Sequence, residues 1–185
     1  MKRLLSALLL CCLALAPLRA DPLGKTLEVV PTEGWKSVDA SIPGEPLPPF
    51  PILKFVPKDG RNAAIFLSLV PANVPGYEVT DLDSLKRFTF NAAKPYLPDP
   101  SARPAVTELK VAGGIGISIT NEDPALTGKP VPPNEYRIVT TATILLDGQY
   151  LIHASIFYDE LDSREFKEGL KILLSVSARA KSPAI

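Results

Sequence analysis

The stretch "LLDGQYLIHASIFYDE", Leu145 to Glu160, holds the only histidine of the chain, His153, with Ser155 two residues on and Asp159 six on. On a strand, residues 153, 155, 157 and 159 point to one face, so the three share a face in the manner of a nucleophile, a base and an orienting acid. The spacing argues against that chemistry. Side chains two apart on a strand stand roughly 6.5 to 7 Å apart at Cα, whereas a working Ser–His pair needs about 3 Å between reacting atoms. His153 also shares its face with Leu151 and Phe157. The expectation is a structural histidine, part-buried and hydrogen-bonded, with a ligand-contact or pH-sensing role as the lesser alternative.

Metal chemistry has equally thin support. One histidine and two cysteines, Cys11 and Cys12, cannot build an ordinary zinc site once the N-terminal segment is set aside. The acids of "YDELDSRE", Asp159, Glu160, Asp162 and Glu165, lack the alternation and central glycine of a calcium loop, and acids at a helix start are explained by capping. "AGGIG" around Gly113 to Gly116 lacks the Lys-Ser/Thr of a phosphate loop and joins two strands. No catalytic group, metal or cofactor is therefore expected. Three aromatic residues are left as contact candidates beside His153. Trp35, the only tryptophan, reads either as a plug at the core edge, the favoured reading, or as an anchor for a partner. Tyr77 and Tyr96 flank a predicted helix, where they pack at the core edge or line a cleft.

The elements that must position these residues follow from period and punctuation. "TLEVV" and "EGWKSV" read as short edge strands. "ILKFVP" and "AAIFLSLVP" around "KDGRN" form a hairpin, "AVTELKVAGGIGISITNE" a second one turning at Gly113-Gly114, and "NEYRIVTTATILLDGQYLIHASIFYDE" a third, long one turning at Asp147-Gly148. Between Thr80 and Leu97 the period changes. Leu82, Leu85, Thr89, Ala92 and Tyr96 fall on one helix face, with Asp81 and Asp83 as cap and first-turn acid. A closing helix has Asp162 and Glu165 at capping-box spacing and an apolar stripe of Phe166, Leu170, Leu173 and Leu174. The strands "AAIFLSLV", "TATILL" and "LIHASIFY" are apolar at both parities, so both faces of the sheet must be covered. The predicted fold is α+β: a largely antiparallel sheet of six or seven strands between helices.

The 185 residues suffice for one domain, formally neutral, with 20 prolines, about twice the usual share. Prolines cluster at 42–51 and 123–133, which must be loops. No basic stripe suggests a nucleic-acid partner. Met1-Lys2-Arg3, the apolar run Leu4 to Leu15 and the small Ala20 have the form of a secretory signal peptide over residues 1–20, too short to span a bilayer. Leu10 before Cys11, and an apolar run that continues past Cys12 to Ala16, speak against lipid anchoring through either cysteine. Cleavage after Ala20 removes Lys2, Arg3 and Arg19, leaving 17 basic residues against 20 acidic, a net charge of −3 and no cysteine. The expectation is a single domain over 21–185, periplasmic or secreted, touching a membrane only through its signal peptide.

The order of these elements ("GW" after a short strand, a hairpin, the "LDSLKRFTFNAAK" helix, a Gly-rich hairpin, the long "EYRIVTTATILLDGQYLIHASIFYDE" hairpin and a helix ending "LKILLSVS") resembles the PsbP-like α/β/α sandwich over most of Thr26 to Ser177. That superfamily includes the photosystem extrinsic protein PsbP, the Ran-binding Mog proteins and the bacterial DcrB-like periplasmic proteins. With an export signal, the DcrB-like branch is the nearest fit. The resemblance implies an accessory or binding protein and supplies no catalytic motif. Together these readings favour a non-enzymatic accessory or protein-binding protein of the envelope. The alternative is a small-ligand or lipid binder using a cleft between sheet and helix. Its ligand or partner contacts would come from Trp35, Tyr77, Tyr96 and His153.

Overall fold

The computed structural model describes residues 20–40, 50–72, 78–99, 101, 103–133 and 135–178. The signal-peptide residues other than Ala20, the proline segment 42–51 other than Phe50 and Pro51, and Tyr77 lie outside the described residues.

Seven strands form one sheet in the order β3-β4-β5-β9-β8-β7-β6, with every neighbouring pair antiparallel. They are β3 (Trp35–Val38), β4 (Ile52–Pro57), β5 (Ala64–Pro71), β6 (Val106–Leu109), β7 (Gly114–Glu122), β8 (Ile138–Leu146) and β9 (Tyr150–Tyr158). All three predicted hairpins are present. The turn of the longest puts both Asp147 and Gly148 at positive φ, 52° and 66°, the conformation that a two-residue hairpin connection needs. The expectation that β8 is covered on both faces is also met, since all nine of its residues are buried, three threonines among them.

The two faces of this sheet belong to different helices. Along β8 and β9 the even-numbered residues point one way and the odd-numbered the other. On the even side Ala142, Ile144, Ile152, Ala154 and Ile156 join Phe55, Ile65 and Leu67, and the helix α2 (Arg164–Leu174) brings Ile172 and Leu173 onto them. On the odd side Leu145, Leu151 and Ile117 meet Leu85 of the helix α1 (Leu82–Ala93), which crosses β7 and β8.

α1 starts as its sequence requires. The Asp81 carboxylate accepts from Ser84 N at 2.8 Å, and Ser84 Oγ accepts from Asp81 N at 3.0 Å, so two otherwise unpaired N–H groups of the first turn are satisfied. The helix stops at Ala93, and the predicted face position Tyr96 falls in a 3₁₀ turn, Lys94–Tyr96, because Pro95 cannot continue the α-helical bonding. In α2 the cap is displaced by one residue from the expected Asp162. Asp162 sits at φ 56°, in the turn itself, and Ser163 is the extended residue whose hydroxyl accepts from Phe166 N at 3.2 Å. Leu174, expected on the apolar stripe, is 42% exposed; Gly169, Ile172 and Leu173 take the buried positions.

The N-terminal region departs furthest from expectation. Of the two predicted edge strands, "EGWKSV" is the sheet edge β3. "TLEVV" contributes β2 (Leu27–Val29) at the centre of a separate three-stranded sheet, between β1 (Asp21–Leu23) and β10 (Ser177–Ala178). Leu23, Leu27 and Val29 are fully buried in the α2-side core. Ser175 ties this sheet to the end of α2, its hydroxyl accepting from Val30 N at 3.0 Å and donating to Val30 O at 2.9 Å.

Gly169 sets the distance between α2 and the sheet. A Cβ there would lie 2.8 Å from Ile156 Cγ2 and 3.4 Å from Ile65 Cδ1, and Ile156 is a stiff β-branched residue that cannot turn aside. Gly169→Ala should therefore lose about 1 kcal/mol or more in urea unfolding through overpacking, although alanine is the better helix former by about 1 kcal/mol. The exposed neighbour Lys167→Ala should be close to neutral. A stabilised Gly169→Ala would mean that helix and sheet are not this close.

Candidate functional site

The three sequence candidates among the described residues, Trp35, Tyr96 and His153, separate in space. Trp35 is 2% exposed in the α2-side core, and its indole N–H donates to Glu168 Oε2 at 2.8 Å. Of its two weighed roles it fills that of core plug. Its indole cannot meet a partner, because the surrounding core and Glu168 already occupy its faces and its donor. Glu168 is itself shared with Arg61 and Arg164, and Arg61 also binds Asp59 and Glu165. Burial pushes the carboxyls of Glu165 and Glu168 up, but the hydrogen bonds and cations around them prevail and hold both below the usual range. This network pins the β4–β5 turn to α2 and belongs to the fold.

His153 lies on the opposite, α1 side of the sheet. It is partly buried beneath Phe88, whose ring centroid is 6.1 Å away at 75°, and its Nδ1 lies 3.4 Å from Thr143 Oγ1. Burial lowers its pKa to about 4, so the ring is neutral near pH 7. Asp159 is engaged elsewhere. Its carboxylate accepts from Asn62 Nδ2 at 2.9 Å and from Arg137 N at 3.3 Å. The His–Asp arm of a triad is thus replaced by two separate structural contacts.

Tyr96 does reach a cleft. The 3₁₀ turn carries it to the end of the sheet beyond α1, where it meets Phe157 of β9 at 5.8 Å and 79°. Phe157 also meets Tyr136 at 5.3 Å and Phe66 at 5.9 Å, so it is the centre of an aromatic group in favourable edge and tilted contacts. A hollow of about 390 Å³ opens here, between the 3₁₀ turn on one side and the loop from Asp123 to Arg137 on the other, with Asn121, Val139 and Phe157 among its lining residues. Register explains that floor: Asn121 of β7 pairs with Val139 of β8, which pairs with Phe157 of β9. His153 is four residues from Phe157 on the same strand face, roughly 13 Å away, under the helix and outside the cleft.

The loop wall is held by Arg137. Its guanidinium donates to the carbonyls of Leu126 at 3.1 Å, Lys129 at 2.6 Å and Asp159 at 3.2 Å. Inside the loop Asp123 accepts from Ala125 N at 2.8 Å. The proline-rich segment 123–133 is thereby fastened to the end of β9. Tyr136 in this wall has its pKa raised, first by burial and then by the charge of Asp159.

Asn121, Tyr136 and Arg137 were not singled out from the sequence. Asn121 is 7% exposed, and its Nδ2 is a buried donor without a hydrogen-bond partner among the described residues. Such atoms are rare in folded proteins, because leaving one unpaired costs about 1–3 kcal/mol. Thr141, diagonal to Asn121 on the same face, carries another, its Oγ1.

No protein-family model matches the sequence, and no curated protein matches it.

The depressed His153 pKa makes stability depend on pH in a stated direction. The unfolded ring binds a proton below about pH 6.5, whereas the folded ring resists protonation until about pH 4. The contribution is thus complete above pH 6.5 and is lost as pH falls from 6.5 towards 4, by up to about 3 kcal/mol. Urea unfolding at pH 4.5 and pH 7 should show a smaller loss of stability on acidification for His153→Asn than for the parent chain. Equal losses would place a solvated histidine at this position.

Proposed function

We propose that this chain is an exported binding protein with a PsbP-like α/β/α sandwich, nearest to the DcrB-like envelope proteins, and that it works without catalysis by holding a small ligand in the cleft beside Tyr96. The observation that carries this reading is the cleft itself. Its volume is about 390 Å³, within the usual range of small-molecule sites, and its walls are aromatic and aliphatic side chains with a few convergent polar groups. Both walls are fastened before any ligand arrives, one by the 3₁₀ turn and one by Arg137, so less ordering entropy opposes binding.

The layered fold supports the sandwich assignment. Seven antiparallel strands carry α1 on one face and α2 on the other, and the elements follow the chain order on which the resemblance rests. The N-terminal segment supports export. The protein-binding reading favoured by the sequence shares the same scaffold. It lost its proposed anchor when Trp35 proved to be core, while the concave aromatic site favours a small molecule.

A pull-down from the chain's own envelope fraction, with bound material read by mass spectrometry for proteins and small molecules, separates the two. The expected result is a discrete co-purifying small molecule that Tyr136→Ala reduces several-fold. A stoichiometric protein partner with no small molecule would replace the carrier reading by the accessory one.

A further inference from the structure

We propose that the ligand of the cleft is a small organic cation, an alkylated ammonium, seated against the ring surface that Tyr96 and Tyr136 present to the hollow, with the carboxylates of Asp123 and Glu135 at the rim balancing its charge. This inference rests on the carrier reading and adds the chemical class of the ligand.

Two independent features define the class. The first is the aromatic wall. Tyr96 and Tyr136 lean on Phe157 at 5.8 and 5.3 Å, with interplanar angles of 79° and 43°, and all three line the hollow. Rings already in contact leave no room among them for another ring. Each contact with Phe157 takes up at most one face of a tyrosine, and Tyr96 is 38% exposed, so ring surface remains open to the hollow. An ammonium needs no slot. It needs one ring face within about 6 Å of its centre, where the ring quadrupole attracts it and ignores a neutral group of the same shape. The second feature is charge. Asp123 and Glu135 line the hollow, are exposed, and form no ion pair among the described residues. The single cation in the lining is Arg137, whose guanidinium is spent on the carbonyls of Leu126, Lys129 and Asp159. Two nearby lysines are directed elsewhere: Lys94 stands over the Phe90 ring at 5.6 Å, and Lys129 donates to the Ala125 carbonyl at 2.8 Å. Behind the wall, the Asp159 carboxylate accepts only from neutral groups, Asn62 Nδ2 and Arg137 N. Its charge, after burial, raises the pKa of Tyr136. Carboxylates thus outnumber cations around the ring surface. The charge selects a cation, and the rings select one whose alkyl groups shed water easily, in preference to a bare metal ion.

Three probes separate charge from shape: choline, its neutral carbon isostere 3,3-dimethyl-1-butanol, and the anion 3,3-dimethylbutanoate. Each is titrated into ¹⁵N-labelled protein and followed by NMR. Choline should move the backbone amides of Tyr96, Tyr136 and Phe157. It should bind about five-fold more tightly than the isostere, the effect of one partly desolvated cation–ring contact, and 3,3-dimethylbutanoate should bind most weakly. Tyr96→Leu should weaken choline about five-fold and leave the isostere unchanged. Glu135→Gln should weaken choline about two-fold and flatten its dependence on salt, again without effect on the isostere. An isostere that binds as tightly as choline, an anion that binds more tightly, or a choline affinity indifferent to Tyr96→Leu would overturn the cation assignment while leaving the cleft a binding site. Perturbation of no cleft residue by any of the three probes would overturn the carrier reading as well.

Discussion

The constraint on which the rest of this molecule depends is the complete burial of β8. All nine of its residues, Ile138 to Leu146, are buried, and it sits inside a seven-stranded sheet between β9 and β7. A strand apolar at both parities cannot leave either face wet. Each face therefore needs its own cover, and the chain supplies two helices from distant parts of the sequence. On the α2 side, Gly169 lets the helix come close enough for Ile172 and Leu173 to complete a core with Ile156 and Ile65. On the α1 side, Leu85 closes over Leu145, Leu151 and Ile117.

The cleft follows from the unequal sizes of sheet and cover. A helix of 12 residues is about 18 Å long, while seven strands span roughly 29 Å across. α1 lies over β7 and β8, and Pro95 ends its line in a 3₁₀ turn. The corner at Phe157 is then covered by that turn and by the loop Arg137 secures. Two surfaces that meet by way of turns leave a hollow where a continuous helix would have filled it. The same geometry strands Asn121. It lines the floor of the hollow, and its Nδ2 has no hydrogen-bond partner among the described residues.

Much of this was legible from the chain, for local reasons. The Asp147-Gly148 turn fixes the register of the long hairpin, and Asp81 with Ser84 fixes the start of α1. The two-faced apolar pattern demanded helices on both sides. What local pattern could not give was pairing across long separations. β9 lies beside β5, with Phe157 opposite Ala64 across more than ninety positions, and β7 pairs with β8 across a proline-rich loop. Asn121 comes beside Val139, and so near Phe157, only through the β7–β8 pairing across that loop, so nothing in its own segment marked it. Trp35 was ambiguous for the opposite reason. A lone tryptophan beside a glycine looks the same whether its partner is Glu168 or another protein, and only the packing of α2 decides it. Tyr77 falls outside the described residues.

The account turns on what occupies the corner at Phe157. The most direct measurement is a crystal structure of the protein isolated from its own cells without refolding. The account predicts a small molecule in the hollow, seated against Tyr96, Tyr136 and Phe157. A cleft holding only water, with a partner chain or ligand bound instead along the edge strand β6 or against the α2 side, would contradict it.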